Sequence, residues 1–295
     1  MVAVRAVWRT MLVGAVVVAT MLCGKTTKAE TPEELTVLLQ RMERNLTANQ
    51  IQMLQYTNDE LWHNRNFDKH GKVTLDETAR YETVFVEGLP YRKKVEENGK
   101  PLNGKQAAAE AKRYAQTVAE RKQMGVEAKR RSLLSRHVNF DLPLVYLPTL
   151  FDNRVVGHEQ VAGREAVVVE STPRVGVVGS GAGEQSALRE KETTWIDVQD
   201  AMPVRVETTQ LVDAGVLAGT TFRLDYQRLE DALGGASQRS APVWAMSQVD
   251  AKGAMKIYWM TGRFETVQTF TNYKRFRVDV RLLDDSVQVM DSAPR

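Results

Sequence analysis

The chain of 295 residues contains a single cysteine and only four histidines. One cysteine cannot form an internal disulfide, so the fold has to be stabilised by a hydrophobic core. The four histidines, His63, His70, His137 and His158, show none of the spacings that metal sites use between histidines or between a histidine and a carboxylate. We therefore expect no metal and no other cofactor, and we interpret the histidines as surface or strand-end residues.

The sequence also lacks a complete catalytic motif. Residues 24–26 read Gly-Lys-Thr, but a phosphate-binding loop also needs a glycine at position 19, which is an alanine. Residues 179–181 read Gly-Ser-Gly, but a nucleophile elbow needs a glycine two residues before the serine, where Val178 stands. Asp284 and Asp285 are adjacent on an expected strand, so their side chains would point to opposite faces. We predict that the protein is not an enzyme.

Outside residues 1–29, the chain has no large excess of positive or negative charge. The full sequence has 40 basic and 37 acidic residues. Four of the basic residues and none of the acidic ones lie in residues 1–29, so the remainder is almost neutral. Such a chain offers no general positive field for nucleic acid, and we predict no nucleic acid partner.

Residues 1–29 have the three-part pattern of a cleaved signal peptide. Two arginines precede an apolar run over residues 11–19, and residues 27–29 (Thr-Lys-Ala) form a small-x-small cleavage pattern. The apolar run is shorter than the roughly 20 residues that a membrane-spanning helix needs. We predict a periplasmic or secreted protein whose mature chain, residues 30–295, is a single domain. The alternative is a lipid anchor attached to Cys23.

Hydrophobic periodicity predicts a mainly β (α+β) fold with an N-terminal helix. Residues 31–34 (Thr-Pro-Glu-Glu) have the pattern of a capping box and precede leucines at helical spacing, so we expect an amphipathic helix over 31–50. From 52 to 97, and again from 155 onwards, apolar and polar residues alternate as in antiparallel strands, most clearly over 275–282. Many such strands in succession imply a strongly curved sheet or an incomplete β-barrel.

Three stretches interrupt the strands. Residues 103–136 predict a long helical insertion, either continuous or in two pieces joined near Gly125. The apolar face of this insertion is thin and consists of Ala107, Ala111, Tyr114 and Val118. Its basic residues suit an anionic membrane surface or an acidic partner, or else a solvated helix face. Residues 138–152, with two prolines, predict a buried irregular crossing, and 174–187 predict a flexible glycine-rich loop.

One hairpin resembles a feature of a known group of proteins. Residues 194–197 read Thr-Trp-Ile-Asp, a short corner follows, and residues 202–205 read Met-Pro-Val-Arg. Neighbouring Trp and Ile side chains point to opposite faces of a strand, so burial of both requires cover on both sides of the sheet. Together with the N-terminal helix and the long meander, this hairpin resembles the periplasmic LolA-like lipoprotein carriers and the RseB-like sensor domains. Residues 81–102 and 281–287 also resemble a family of secreted bacterial proteins with no assigned activity.

The resemblance implies a half-open antiparallel barrel that helices close over an apolar cavity. The insertion at 103–136 departs from the simple carriers, and no transfer-related residue of those carriers has a match here. We predict an exported binding protein that holds an acyl chain, a lipid or a lipoprotein on the concave face. The alternative is an envelope sensor or scaffold of the same fold that binds a protein partner. The predicted ligand-binding residues are long apolar side chains at alternate strand positions: Val84, Val86, Phe222, Leu224, Phe276 and Val278.

Overall fold

The computed structural model describes the backbone of residues 31–214, 216–229, 242–257 and 260–275, and the side chains of all of these except residues 130, 133–142, 256–257 and 260–261. Three predictions lie outside the described residues. They are the signal peptide over 1–29, the lipid-anchor alternative at Cys23, and the part of the last expected strand beyond Arg275, which includes Phe276 and Val278.

The N-terminal helix α1 spans Pro32–Met53 and confirms the helix expected over 31–50. Its capping box is formed in full. The backbone N–H of Glu34 donates to the hydroxyl of Thr31 at 3.2 Å, and the Glu34 carboxylate accepts from the Thr31 N–H at 2.8 Å. These bonds satisfy donors that the first turn of a helix otherwise leaves free. One apolar stripe of α1 is buried, and it consists of Leu35, Leu39, Met42 and Leu46.

Eleven antiparallel strands form one sheet that does not close into a barrel, which confirms the predicted fold class. The strands form two meanders, β1–β4 and β5–β11, and β1 pairs with β11 to join them. Among the described strands, the edges of the sheet are therefore β4 and β5. The strands are β1 (Tyr56–Phe67), β2 (Val73–Val86), β3 (Leu89–Glu97), β4 (Lys100–Pro101), β5 (Phe151–Val161), β6 (Arg164–Pro173), β7 (Glu190–Asp197), β8 (Pro203–Gln210), β9 (Thr221–Leu229), β10 (Val243–Ile257) and β11 (Met260–Arg275).

Two helices connect the free edges of the sheet. Helix α2 spans Gly104–Gln123 and helix α3 spans Val126–Leu150, so the predicted break of the insertion near Gly125 is confirmed. The two helices lie on different faces. Helix α3 packs against α1 and also contacts β5 and β3, and α2 contacts β2 and β3. Residues of α1 lie beside Phe85 of β2, whereas residues of α2 lie beside Val84, which points to the opposite face. We call the face that carries α1 and α3 the inner face and the opposite face the outer face. None of the described helices is long and apolar enough to span a membrane.

The predicted irregular crossing over 138–152 was wrong, because α3 continues through both of its prolines to Leu150. A proline inside a helix costs about 3 kcal/mol, since it removes a hydrogen bond and crowds the preceding turn. Full burial of a leucine side chain contributes about 1.5–3 kcal/mol. Leu144 and Leu147 are both buried in the core with α1, so two such side chains offset much of the proline cost.

Residues that follow α3 also favour its continuation, because they donate hydrogen bonds to the carbonyls at its C-terminal end. The amide of Asn153 donates to the carbonyl of Leu147 at 2.7 Å, and the guanidinium of Arg174 donates to that of Thr149 at 2.9 Å. The backbone N–H of Arg174 donates to the carbonyl of Leu150 at 3.0 Å. Helix ends leave such carbonyls unpaired unless caps, water or neighbouring residues supply donors.

The glycine-rich loop predicted over 174–187 needs one correction. Its last part is a short helix, α4, over Ala182–Ala187. The carboxylate of Glu184 accepts hydrogen bonds from both the backbone N–H and the hydroxyl of Ser180, at 2.6 and 2.7 Å. Ala187 is fully buried in the core. The small side chains that suggested a loop also allow α4 to pack closely against α3.

Candidate functional site

The Trp-Ile-Asp hairpin lies at a point where both faces of the sheet are covered. Ile196 is fully buried in the core, and Trp195, on the opposite face, is only 8% exposed. The indole N–H of Trp195 donates to Glu159 at 2.9 Å, and the guanidinium carbon of Arg205 lies 5.6 Å from the centre of the indole ring. Side chains of neighbouring strands thus cover Trp195. Both residues are buried, and the sheet is covered on both sides here, as the alternation of Trp195 and Ile196 requires.

Asp197, the last residue of this motif, has a structural role. It is 1% exposed and accepts two hydrogen bonds from the Arg164 guanidinium, at 2.6 and 2.9 Å. Burial opposes ionisation of this carboxyl. The bonds from Arg164 and from the backbone N–H of Asp200 outweigh that effect, so the pKa of Asp197 lies below its usual value. A buried carboxylate paired in this way fixes the corner of the hairpin and is not free for chemistry.

Helix α1 is fastened to the sheet by a row of polar side chains. Arg41 donates to the carbonyl of Gln199 at 2.6 Å, and Asn45 donates to that of Asp200 at 2.7 Å. Further along α1, the amide of Asn49 donates to the carbonyl of Trp244 at 2.8 Å. The carbonyl oxygen of the same amide accepts from the Trp244 N–H, also at 2.8 Å. The helix therefore keeps a fixed register over the inner face.

A pocket of about 260 Å³ opens on the inner face beneath the C-terminal end of α1. Polar groups border it, among them Asn49, Asn58 and Thr83. Most of its lining is aromatic or aliphatic, and a lining of this kind with few polar groups is typical of small-molecule sites. We call it the aromatic pocket, and its aromatic and aliphatic residues are Met53, Leu54, Tyr56, Phe85, Pro90, Tyr226, Trp244, Ala245, Met246, Phe270 and Tyr273.

The aromatic pocket exists because strands β10 and β11 separate there. Their pairing ends at Gln248 and Thr269, and β11 continues against β1 as far as Arg275. The backbone of Trp244 is satisfied by Asn49 instead of by a strand. The hydroxyl of Tyr273 donates to the carbonyl of Met246 at 2.7 Å. Side chains thus bridge the gap between the strands and leave room beside them.

Two polar groups of the pocket lining are buried and uncharged. Burial, and then the nearby Glu60 carboxylate, raise the pKa of Tyr273 well above its usual value, so its hydroxyl stays a neutral donor. Trp244 is 2% exposed, and its indole N–H has no hydrogen-bond partner in the described part of the chain. An unpaired buried donor costs about 1–3 kcal/mol. The lining therefore contains hydrogen-bond donors that carry no charge.

The described members of the six predicted ligand-binding residues lie on two different faces of the sheet. Phe222 and Leu224 lie on the inner face and pack in the core, but they are not among the residues that line the aromatic pocket. Val84 lies on the outer face, where it lines a groove beside α2, and Val86 shares that face by strand alternation. Phe276 and Val278 lie outside the described residues. The four described members therefore do not surround one site.

The aromatic pocket contains instead residues that the sequence did not single out. Phe85 stands between the two predicted valines of β2 and points to the other face, into the pocket. Period-two alternation finds both faces of a strand but does not say which face meets the N-terminal helix. The sequence signal that could have indicated the pocket was the presence of aromatic residues, Trp244 and Tyr273, on the last strands.

One further buried acid lies on the inner face, on β7. Glu192 is 3% exposed, and neither of its carboxylate oxygens has a hydrogen-bond partner among the described residues. Burial, and then the neighbouring Glu190, raise the pKa of Glu192 to about 8. Its carboxyl is therefore neutral at pH 7. Within the described residues no three His, Cys, Asp or Glu side chains are grouped so that they could hold a metal ion.

No protein-family model and no curated protein matches the chain. Several solved structures match the chain at low identity and low TM-score. A DUF1329 family protein from Desulfovibrio piger matches 85% of this chain and 99% of its own, with a TM-score of 0.31 and 12% identity. A domain from Vibrio parahaemolyticus, named for outer membrane lipoprotein sorting, covers the same shares with a TM-score of 0.35 and 9% identity.

A LolA superfamily protein from Nitrosomonas europaea matches 83% of this chain and 95% of its own, with a TM-score of 0.28 and 10% identity. MucB of Pseudomonas aeruginosa, solved with MucA, is also among the similar structures, with a TM-score of 0.20 and 12% identity. Proteins of the group that the Trp-Ile-Asp hairpin resembles are thus among the solved structures that match this chain.

Proposed function

We propose that this protein is an exported, non-enzymatic binding protein that holds a hydrophobic group in the aromatic pocket. The observation that carries the proposal is the pocket itself, an opening on the inner face of the sheet with an aromatic lining and no charged group among its lining residues. Burial of apolar surface contributes about 25 cal/mol per Å², or about 0.8 kcal/mol for each CH₂ group. An acyl chain is the ligand that gains most from such a lining.

The size of the pocket limits what it can hold. Its volume of about 260 Å³ lies just below the roughly 300–1,000 Å³ of ordinary ligand pockets. We therefore propose that it takes one acyl chain, or part of one, on a free lipid or on a lipoprotein. The rest of the ligand would remain outside, between α1 and strands β1–β3. We also propose that the protein acts in the periplasm or outside the cell as one domain over residues 30–295.

A titration with a fluorescent hydrophobic probe tests this function. The folded protein should bind the probe saturably, and a fatty acid or a lipopeptide should displace it. Met246→Trp should fill the pocket and weaken binding at least tenfold, whereas Val178→Trp, at a position 86% exposed, should not. Thermal unfolding confirms that each variant is folded. Absence of saturable, displaceable binding to the wild-type protein would end the proposal.

A second candidate is an envelope sensor or scaffold that binds a protein partner. The observation that favours this function is that side chains fill most of the space between the inner face and its helices. These side chains include Leu35, Leu39, Met42, Leu144 and Leu147, which are packed into the core. A sensor needs no cavity for a ligand. It predicts weak probe binding that lipid does not reduce, so the same titration separates the two functions.

A further inference from the structure

Helix α2 lies across the outer face of the sheet with little packing of its own. Of its 20 residues, only Arg121 is buried. The guanidinium of Arg121 donates to the carbonyls of Val86, Leu89 and Pro90, at 3.2, 2.7 and 3.0 Å. At the other end of the helix, the side chain of Gln106 donates to Glu97. The helix is thus held at both ends.

A groove of about 620 Å³ runs between α2 and strands β2 and β3. It is more than twice the size of the aromatic pocket and lies within the ordinary range for ligand sites, roughly 300–1,000 Å³. Most of the residues along it are apolar, and Tyr114 is 39% exposed. We call it the α2 groove, and its apolar residues include Val84, Val95, Leu102, Ala107, Ala111 and Tyr114.

The charges along the α2 groove are not balanced. Glu110 already accepts from the hydroxyl of Tyr91 and from the guanidinium of Arg113, at 2.8 and 2.9 Å. The ammonium of Lys94 lies 3.3 Å from Glu97. Lys93, which also lines the groove, stands opposite Glu82 of β2, but that carboxylate is paired with Arg80, and Lys93 forms no ion pair among the described residues. An apolar groove bordered by one unpaired cation fits a ligand with an apolar chain and an anionic head.

We propose that the α2 groove is a second ligand site and that it takes a monomeric long-chain fatty acid. The chain lies against the apolar residues between α2 and the outer face, and the carboxylate pairs with the ammonium of Lys93. The site is separate from the aromatic pocket because Val84 and Phe85 are consecutive residues of β2 that point to opposite faces of the sheet. This inference does not depend on the function proposed for the aromatic pocket.

Calorimetric titration of the purified protein with palmitate below its micelle concentration tests the location of the site. Ala111→Trp should fill the α2 groove and remove a binding event that Met246→Trp leaves in place. Ala108→Trp is the matched control, because Ala108 is an exposed residue of α2 that does not line the groove. Circular dichroism and thermal unfolding show whether each variant keeps its fold.

A separate experiment tests whether Lys93 recognises the carboxylate of the fatty acid. Lys93→Gln should weaken palmitate binding in the groove about two- to fivefold, the range expected for an exposed charge pair. It should leave the binding of hexadecanol, which has the same chain and no charge, unchanged. Lys105→Gln, an exposed change on α2 outside the groove, should affect neither ligand.

The outcomes separate this inference from the proposed function. If Met246→Trp abolishes all palmitate binding and Ala111→Trp changes nothing, the groove is not a site and the inference fails, while the aromatic pocket stands. If Ala111→Trp abolishes binding and Met246→Trp changes nothing, the groove stands and the pocket fails. Binding only to vesicles of anionic phospholipid, with none to monomeric palmitate, would also overturn the inference and indicate a membrane surface.

Discussion

Asn49 of helix α1 and Trp244 of strand β10 share two hydrogen bonds of 2.8 Å, in which the Asn49 amide both donates to and accepts from the Trp244 backbone. The side chain takes the place of a neighbouring strand where β10 has separated from β11. It therefore fixes the end of α1 and keeps the aromatic pocket open. The two residues are 195 positions apart in the chain.

We expect Asn49→Ala to destabilise the protein more than a single lost hydrogen bond would. The change leaves both the N–H and the carbonyl of Trp244 without partners, and each unsatisfied buried group costs about 1–3 kcal/mol. Asn45→Ala is the matched control on the same helix, because Asn45 makes one bond, to the carbonyl of Asp200. Urea unfolding measures both. Equal losses of unfolding free energy would contradict the special role of Asn49.

The packing of α1 gives a second prediction. Leu39 is 2% exposed in the core beneath α1, whereas Val37, on the same helix, is 62% exposed. Leu39→Asp places a carboxylate among apolar side chains and should cost several kcal/mol. Val37→Asp should change the unfolding free energy by less than about 0.5 kcal/mol. An unchanged melting temperature in Leu39→Asp would refute this packing.

The buried carboxyl of Glu192 should make stability fall as the pH rises. Its pKa in the folded protein, about 8, is above the usual value of 4.5, so the folded state keeps a proton that the unfolded state releases. The stabilising effect is complete below about pH 4.5 and is lost progressively between there and about pH 8. A difference of this size corresponds to several kcal/mol over that window.

Glu192→Gln removes this titratable group, so the unfolding free energy of the variant should depend less on pH. We expect the variant to lose clearly less unfolding free energy than the wild type between pH 5 and 8. Glu190, whose pKa burial also raises, leaves a residual slope of the same sign. Glu207→Gln, an exposed change on the neighbouring strand β8, should keep the wild-type slope. Parallel curves for Glu192→Gln and wild type would show that Glu192 does not titrate as a buried acid.

Local patterns in the sequence predicted the elements better than they predicted the site. The capping box and apolar stripe of α1 lie within one segment, so they could be recognised without the rest of the chain. The continuation of α3 through Pro143 and Pro148 depends on burial of Leu144 and Leu147 against α1, which the local pattern does not contain. The aromatic pocket depends on the separation of two strands and on Asn49, far away in sequence. Its position could not be deduced from alternation alone.

The last prediction concerns a close approach between β10 and the turn before β9. A Cβ atom placed on Gly253 would lie 2.1 Å from the hydroxyl oxygen of Thr220 and 2.5 Å from its methyl carbon. Thr220 is 1% exposed and cannot move aside easily, so Gly253→Ala should destabilise the protein by about 1–3 kcal/mol through overpacking. Gly262→Ala on β11 is the control, because a Cβ there meets no atom of the described residues within 4 Å. That change should be neutral or stabilise by up to about 1 kcal/mol. Thermal unfolding of the two variants decides the matter, and a Gly253→Ala protein as stable as Gly262→Ala would show that the contact with Thr220 does not constrain the strand.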